Sequence, residues 1–191
     1  MIPDDFKKRI FSNPNALTLF RVVSSPIIVI LLLFPNRICT FIAALIFSAA
    51  AITDFLDGYI ARQRGLVSNL GKIMDPLADK LLISSSFIMM TYHGWIPGWM
   101  VCVIIGRELA ITGFRNIITE SGGDVAASSL GKYKTGFQIA AIIPFMLHGG
   151  RFNYFWLNLH AIGYFMLWCA LIFTVWSGVD YFVRFRKLLE G

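Results

Sequence analysis

Four of the eleven acidic residues fall within 26 positions: Asp54, Asp57, Asp75 and Asp79. Asp54 and Asp57 are three apart and Asp75 and Asp79 four apart, so on helices each pair shares one face. Carboxylates that converge in an apolar chain repel one another and need cations. A set of hard oxygen donors without His or Cys favours Mg²⁺, Mn²⁺ or Ca²⁺ over zinc. The plainer alternative is a solvated helix end whose acids pair with Arg62, Arg64, Lys72 and Lys80. The neighbouring residues favour a site. Gly58 gives a ligand close access to the backbone, Arg62 is placed to meet a phosphate, and Gly71 opens the segment toward Asp75. Pro76 is expected to break regular helical hydrogen bonding beside the carboxylates.

A second constellation is basic. Arg107 and Arg115 lie in or at the end of an apolar stretch, and Lys132 and Lys134 open the next one. An arginine inside such a stretch needs a partner, and Glu108 is too close in sequence to be the obvious one for Arg107. A phosphate-sized anion suits the cluster, because arginine binds it through a bidentate fork. The alternative is ordinary anchoring of basic residues at a membrane surface. His93, His148 and His160 are isolated near the ends of apolar stretches and read as interfacial. Cys39, Cys102 and Cys169 show no CxxC spacing and read as small apolar residues.

These residues must be positioned by elements that the composition already restricts. Of 191 residues, 57% are hydrophobic and 15% are charged, against roughly 25% charged in soluble domains. Nucleic-acid binding, a secreted disulfide scaffold and a disordered tail are therefore excluded, and an all-α integral membrane protein of one domain, 1–191, is expected. Apolar stretches predict six transmembrane helices over about 17–34, 38–61, 71–92, 96–118, 134–148 and 155–182. Each approaches the ~20 residues needed to cross the bilayer. Helices satisfy their own backbone in lipid, so a six-helix bundle follows. The His93–Gly98 run divides the third span from the fourth. Residues 1–16, with Phe6, Ile10 and Phe11 beside Lys7, Lys8 and Arg9, predict a short amphipathic helix lying on the membrane surface; the N-terminus does not read as a secretory signal. Lys7, Lys8, Arg9, Arg62, Arg64, Lys72, Lys132, Lys134, Arg184, Arg186 and Lys187 fall on one face, against Arg37 and Arg151 on the other. The positive-inside rule then puts both termini and the 62–72 loop in the cytoplasm.

The string Asp54-x2-Asp57-Gly58-x2-Ala61-Arg62-x8-Gly71-x3-Asp75-x3-Asp79 resembles, at all eight fixed positions, the signature of the CDP-alcohol phosphotransferases. The resemblance implies a six-helix membrane enzyme, typically a homodimer, with a cytoplasm-facing cavity and two divalent cations, Mg²⁺ or Mn²⁺. It implies that Asp54, Asp57 and Asp75 hold one metal, that Asp79 with Asp54 and Asp75 holds the second, and that Asp79 is also the general base. Asp57, Gly58, Ala61, Arg62 and Ser68 would touch the CDP moiety. Asn15 and Thr18, in the run Asn15 to Arg21, resemble the family's segment beside the nucleotide; on residue type alone they equally suit helix caps. The runs Ile105–Arg115 and Gly131–Gln138 are similar to those of bacterial members that make phosphatidylglycerophosphate. That likeness implies CDP-diacylglycerol and sn-glycerol 3-phosphate as substrates, CMP as the leaving group, and Arg107, Arg115, Lys132 and Lys134 as the acceptor-phosphate residues. Phosphatidylinositol-phosphate synthase and cardiolipin synthase are the alternatives within the family. A divalent-cation transporter is the rival of another class. It is disfavoured because the acids gather at one end of the spans and no broken helices repeat with inverted symmetry.

Overall fold

The computed structural model describes the backbone of residues 13–64, 69–120, 129–150 and 158–189, and side-chain surroundings within 18–53, 77–115, 118, 133–150 and 158–183. The described residues form six helices and no strand: α1 (Asn13–Leu33), α2 (Arg37–Arg64), α3 (Asn69–Tyr92), α4 (Gly98–Glu120), α5 (Ser129–Gly149) and α6 (Leu159–Leu189). The predicted interfacial helix falls before Asn13, outside the described residues. The six expected stretches each correspond to one helix. The largest differences are at α5, which starts at Ser129 where 134 was expected, and α6, which continues to Leu189 beyond 182. Hydropathy stops at the first charges, but backbone hydrogen bonding runs on through them, so Lys132, Lys134 and Arg184 to Lys187 are helical.

Helix boundaries have local causes. Asn36 caps α2: its Oδ1 accepts the amides of Ile38 at 3.0 Å and Cys39 at 2.8 Å. Between α3 and α4 the chain reverses at Gly94, whose φ of 69° is the left-handed conformation that glycine adopts without strain. There the Gly94 amide donates to the Thr91 carbonyl and the Trp95 amide to the Met90 carbonyl, both at 2.9 Å. Pro76 does not interrupt α3, contrary to the sequence expectation. A proline removes one amide donor, and the turns on either side keep theirs. Asn15 and Thr18 lie inside α1, the third and sixth residues of a helix that begins at Asn13, so neither is its N-cap.

The chain forms two compact units, Met1–Met89 with Met146–Phe152 and Met90–Phe145 with Asn153–Gly191. In the first, α1 packs on α2. The buried stripe of α1 is Thr18, Arg21, Ser25, Ile28 and Leu32, while Leu19, Phe20, Val23, Ile27 and Ile30 face outward. In the second, α4 packs on α6. Trp99 meets Trp168 edge-on at 5.9 Å, and Phe137 of α5 stacks on Phe173 of α6 at 5.2 Å. The buried stripe of α6 runs through Leu167, Ala170, Leu171, Thr174, Ser177 and Tyr181, with Phe165, Trp168, Ile172, Val175, Trp176, Val179 and Phe182 exposed. The described interior is mainly apolar with buried polar groups among it, and many large apolar side chains face outward, more than a soluble surface ordinarily carries. One described segment, Leu159–Val183, is long and apolar enough to cross a membrane, and Thr18–Leu33 and Arg37–Thr53 are shorter apolar helices.

Close packing in the second unit makes one residue a sensitive test. A Cβ at Gly163 would sit 3.0–3.1 Å from three ring carbons of Phe145, which is itself fully buried and edge-on to Tyr164. Gly163→Ala should therefore lower the thermal midpoint in detergent, the overpacking costing about 1–3 kcal/mol. At Gly113 a Cβ meets nothing within 4 Å, so Gly113→Ala is the control and should leave the midpoint in place or raise it. Equal midpoints for the two variants would show that the contact is relieved elsewhere.

Candidate functional site

In the first unit the carboxylate motif divides between two helices. Asp54, Asp57, Gly58, Ala61 and Arg62 lie in the second half of α2, and Gly71, Asp75 and Asp79 in the first half of α3. The two helices are joined by residues 65–68. Ser68 falls in that link, outside the described residues. So do the side chains of Asn15, Asp54, Asp57, Ala61, Arg62 and Asp75, whose backbone alone is described.

Asp79 is described in full, and it carries an ion pair. The guanidinium Nη1 of Arg21, from the buried stripe of α1, bonds its Oδ1. The Arg21 side chain is 2% exposed and that of Asp79 37%. Burying a guanidinium is costly unless it is paired, so the bond to Asp79 offsets part of the cost of placing Arg21 on the buried stripe of α1. Among the described residues no three His, Cys, Asp or Glu side chains converge. The donor chemistry of the whole motif nevertheless fits a hard divalent cation, since it is carboxylate oxygen throughout.

The basic constellation lies in the second unit and is held by a residue that sequence reasoning had set aside. Glu108 Oε1 bonds Lys134 Nζ of α5, and Arg107 Nη1 approaches the same oxygen at 3.4 Å. Glu108 is thus a partner of Arg107 after all: the two side chains extend along the helix surface far enough to meet, although their residues are adjacent. Arg107 Nη2 also donates to Ser177 Oγ of α6 at 3.0 Å, and that hydroxyl donates in turn to the Phe173 carbonyl at 2.6 Å. Gly178 makes room for this arginine, since a Cβ there would lie 3.3 Å from Arg107 Cγ. Lys134 is 4% exposed, whereas Arg115 is exposed, and the Lys132 side chain is outside the described residues. Two cations thus approach one carboxylate oxygen.

Around this trio lie polar groups that the sequence reading passed over. Gln138, one turn beyond Lys134 on α5, and Thr174, one turn before Ser177 on α6, are 2% and 0% exposed; Tyr181, one turn beyond Ser177, is 8% exposed. Gln138 Nε2, Thr174 Oγ1, Tyr181 OH and Arg107 Nε have no hydrogen-bond partner among the described residues. The available signal was the run of polar types at 3–4 spacing in an otherwise apolar helix, Thr174, Ser177 and Tyr181.

The CDP-alcohol phosphatidyltransferase family profile matches residues 11–176, which span both units and every residue just described except Ser177, Gly178 and Tyr181. The chain belongs to that family. Among similar curated proteins, a CDP-diacylglycerol–glycerol-3-phosphate 3-phosphatidyltransferase of Bacillus subtilis strain 168 is 40% identical over 192 residues, covering 94% of this chain and 98% of its own. Proteins of the same name from Rickettsia bellii and Escherichia coli K12 are each 34% identical, covering 91% and 90% of this chain and 95% and 93% of theirs. Family membership gives the buried polar residues of the described helices a context, that of a phosphatidyltransferase.

Proposed function

We propose that the protein transfers the phosphatidyl group of CDP-diacylglycerol to sn-glycerol 3-phosphate, releasing CMP and forming phosphatidylglycerophosphate. The observation that carries the choice of acceptor is the cation pair Arg107 and Lys134 sharing a single carboxylate, Glu108. A basic pair of this kind suits a phosphate monoester, which accepts charge-assisted hydrogen bonds from both side chains, better than a neutral alcohol. Arg115 and Lys132 are assigned to the same anion as outer contacts.

Asp54, Asp57, Asp75 and Asp79 would hold two divalent cations, Mg²⁺ or Mn²⁺, which when bound supply charge neutralisation on the phosphoryl oxygens. Asp57, Gly58, Ala61, Arg62 and Ser68, with Asn15 and Thr18, would bind the CDP moiety. Arg62 adds a cation for the pyrophosphate, and Gly58 permits backbone approach. Asp79 accepts the proton of the attacking hydroxyl as its oxygen bonds to the phosphorus that carries diacylglycerol. The bond from that phosphorus to the CMP oxygen breaks, and CMP leaves with the electron pair. The bond from Arg21 orients the Asp79 carboxylate.

The outward-facing apolar side chains of α1 and α6 support six membrane spans in a single domain, 1–191, which acts as a homodimer. The Lys and Arg distribution supports a bacterial cytoplasmic membrane, with both termini and the site facing the cytoplasm.

Purified full-length protein in detergent, given CDP-diacylglycerol and Mg²⁺, should release CMP with glycerol 3-phosphate and far less with glycerol, serine or phosphatidylglycerol. Comparable release with inositol phosphate would move the assignment to the inositol-phosphate branch. Comparable release with glycerol would remove the anion site from the acceptor's recognition.

A further inference from the structure

Gln138, Thr174 and Tyr181 present the molecule with a physical problem. Their polar atoms are sealed from solvent and unpartnered among the described residues, and Arg107 Nε shares that condition. A buried polar group without a partner typically costs about 1–3 kcal/mol, and native interiors keep few of them without a reason. Here one belongs to the ion cluster, and the other three lie one helical turn from its members Lys134 and Ser177. The stacking of Phe137 on Phe173 brings the neighbouring Gln138 and Thr174 to the same level of α5 and α6. Arg107 reaches Ser177, which is flanked on the α6 stripe by Thr174 one turn before it and Tyr181 one turn after it. Tyr181 is also within electrostatic reach of Arg107.

The chemistry on offer is specific. The amide nitrogen of Gln138 can only donate, whereas the hydroxyls of Thr174 and Tyr181 both donate and accept. A phosphate needs donors alone, which Arg107 and Lys134 already provide. Groups that also accept hydrogen bonds are suited to an alcohol beside the anion.

We infer that Gln138, Thr174 and Tyr181 read the carbon-borne hydroxyls of the acceptor while Arg107 and Lys134 hold its phosphate. The ligand class is a short phosphorylated polyol. This inference rests on the acceptor reading proposed above and deepens it. These three residues determine specificity: they distinguish phosphate esters that differ by one hydroxyl, which the basic residues cannot do. A site built to pair a hydroxyl rejects the analogue lacking it, because its own buried groups then stay unpaired.

The test compares sn-glycerol 3-phosphate with 3-hydroxypropyl phosphate, which keeps the phosphate and the attacking primary hydroxyl and lacks only the secondary one. CMP release is measured with full-length protein. The wild type should prefer glycerol 3-phosphate by roughly 10-fold or more in kcat/KM. Thr174→Val, Gln138→Met and Tyr181→Phe each remove polar capacity at nearly constant volume. At least one should narrow that preference by about 2- to 12-fold, the range for a lost neutral hydrogen bond, mainly by lowering kcat/KM for glycerol 3-phosphate. Thr174→Ser keeps the hydroxyl and should keep the preference.

An unchanged KM for CDP-diacylglycerol identifies the variants that have folded. A wild type indifferent to the secondary hydroxyl overturns the inference without recourse to any variant. Folded variants that lower both acceptors alike also overturn it. CMP release with neither acceptor would instead sink the acceptor reading itself, and this inference with it.

Discussion

Asp75→Asn should release CMP at least ~10²-fold more slowly than the wild type, the scale on which single electrostatic groups act in transition states of this kind. Its position explains the expected size. Asp75 stands in α3 one turn before Asp79, and across residues 65–68 from the α2 pair Asp54 and Asp57; with Asp54 it is proposed to belong to both cation sites. An amide keeps the shape and one oxygen but loses the charge that two cations would share. The variant should therefore also lose the rise in thermal midpoint that Mg²⁺ gives the wild type, since a ligand that binds only the folded state stabilises it by mass action. Asp79→Asn should differ in kind. It too should slow turnover by at least about 10²-fold, as expected when a general base is removed, while still binding CDP-diacylglycerol through Asp54, Asp57, Gly58 and Arg62. A folded Asp75→Asn protein with full CMP release would remove the two-cation assignment. A rate loss in Asp79→Asn that came wholly from weaker donor binding would remove the base.

The two proposals differ in how far the sequence could anticipate them. The motif is legible because its fixed residues are spaced by helical geometry, three and four apart, and because acids are rare in so apolar a chain. Six helices are legible for the same reason: long apolar runs, separated by Gly, Pro and Asn, leave the backbone little alternative. The helix ends are less so. Lys132 and Lys134 suggested a boundary, yet they continue α5, because a lysine stem lies along a helix as readily as outside one. Pro76 suggested a break, yet α3 passes through it.

What the sequence concealed were partnerships between distant residues. Nothing in the run around Arg21 says that its guanidinium meets Asp79, 58 residues away, although an arginine among Leu, Phe, Val and Ile announces that it must meet something. Glu108 is the more instructive case. Adjacency to Arg107 argued against their contact, but the decisive partner is Lys134, 26 residues on, and the shared carboxylate draws Arg107 in. Gln138, Thr174, Ser177 and Tyr181 are ordinary residues in a list; they become notable only once burial leaves three of them with unmet hydrogen-bonding capacity.

That partnership sharpens the expectation for Arg107. Arg107→Gln should raise the KM for glycerol 3-phosphate by roughly 10- to 150-fold, the equivalent of losing a charge-assisted hydrogen bond worth about 1.5–3 kcal/mol. The wild-type cluster carries two cations against one carboxylate. Removing Arg107 takes away the bidentate donor and leaves Lys134, bonded to Glu108, with only the outer contacts Arg115 and Lys132. CDP-diacylglycerol should be affected much less, because Arg62 and the carboxylate motif are assigned to its pyrophosphate. Arg107→Lys should also be impaired, although it keeps the charge. The arginine spans Ser177 on α6 and Glu108 on its own helix through two different nitrogens, a fork that a single ammonium cannot reproduce. Ser177→Ala, by contrast, removes only the anchor of that fork and should weaken the acceptor less than Arg107→Gln does. If Arg107→Gln weakened both substrates alike, or if Arg107→Lys matched the wild type, the guanidinium would have no special claim on the acceptor. Arg107 and Lys134 would then be a buried ion cluster that Glu108 bridges for the sake of the fold.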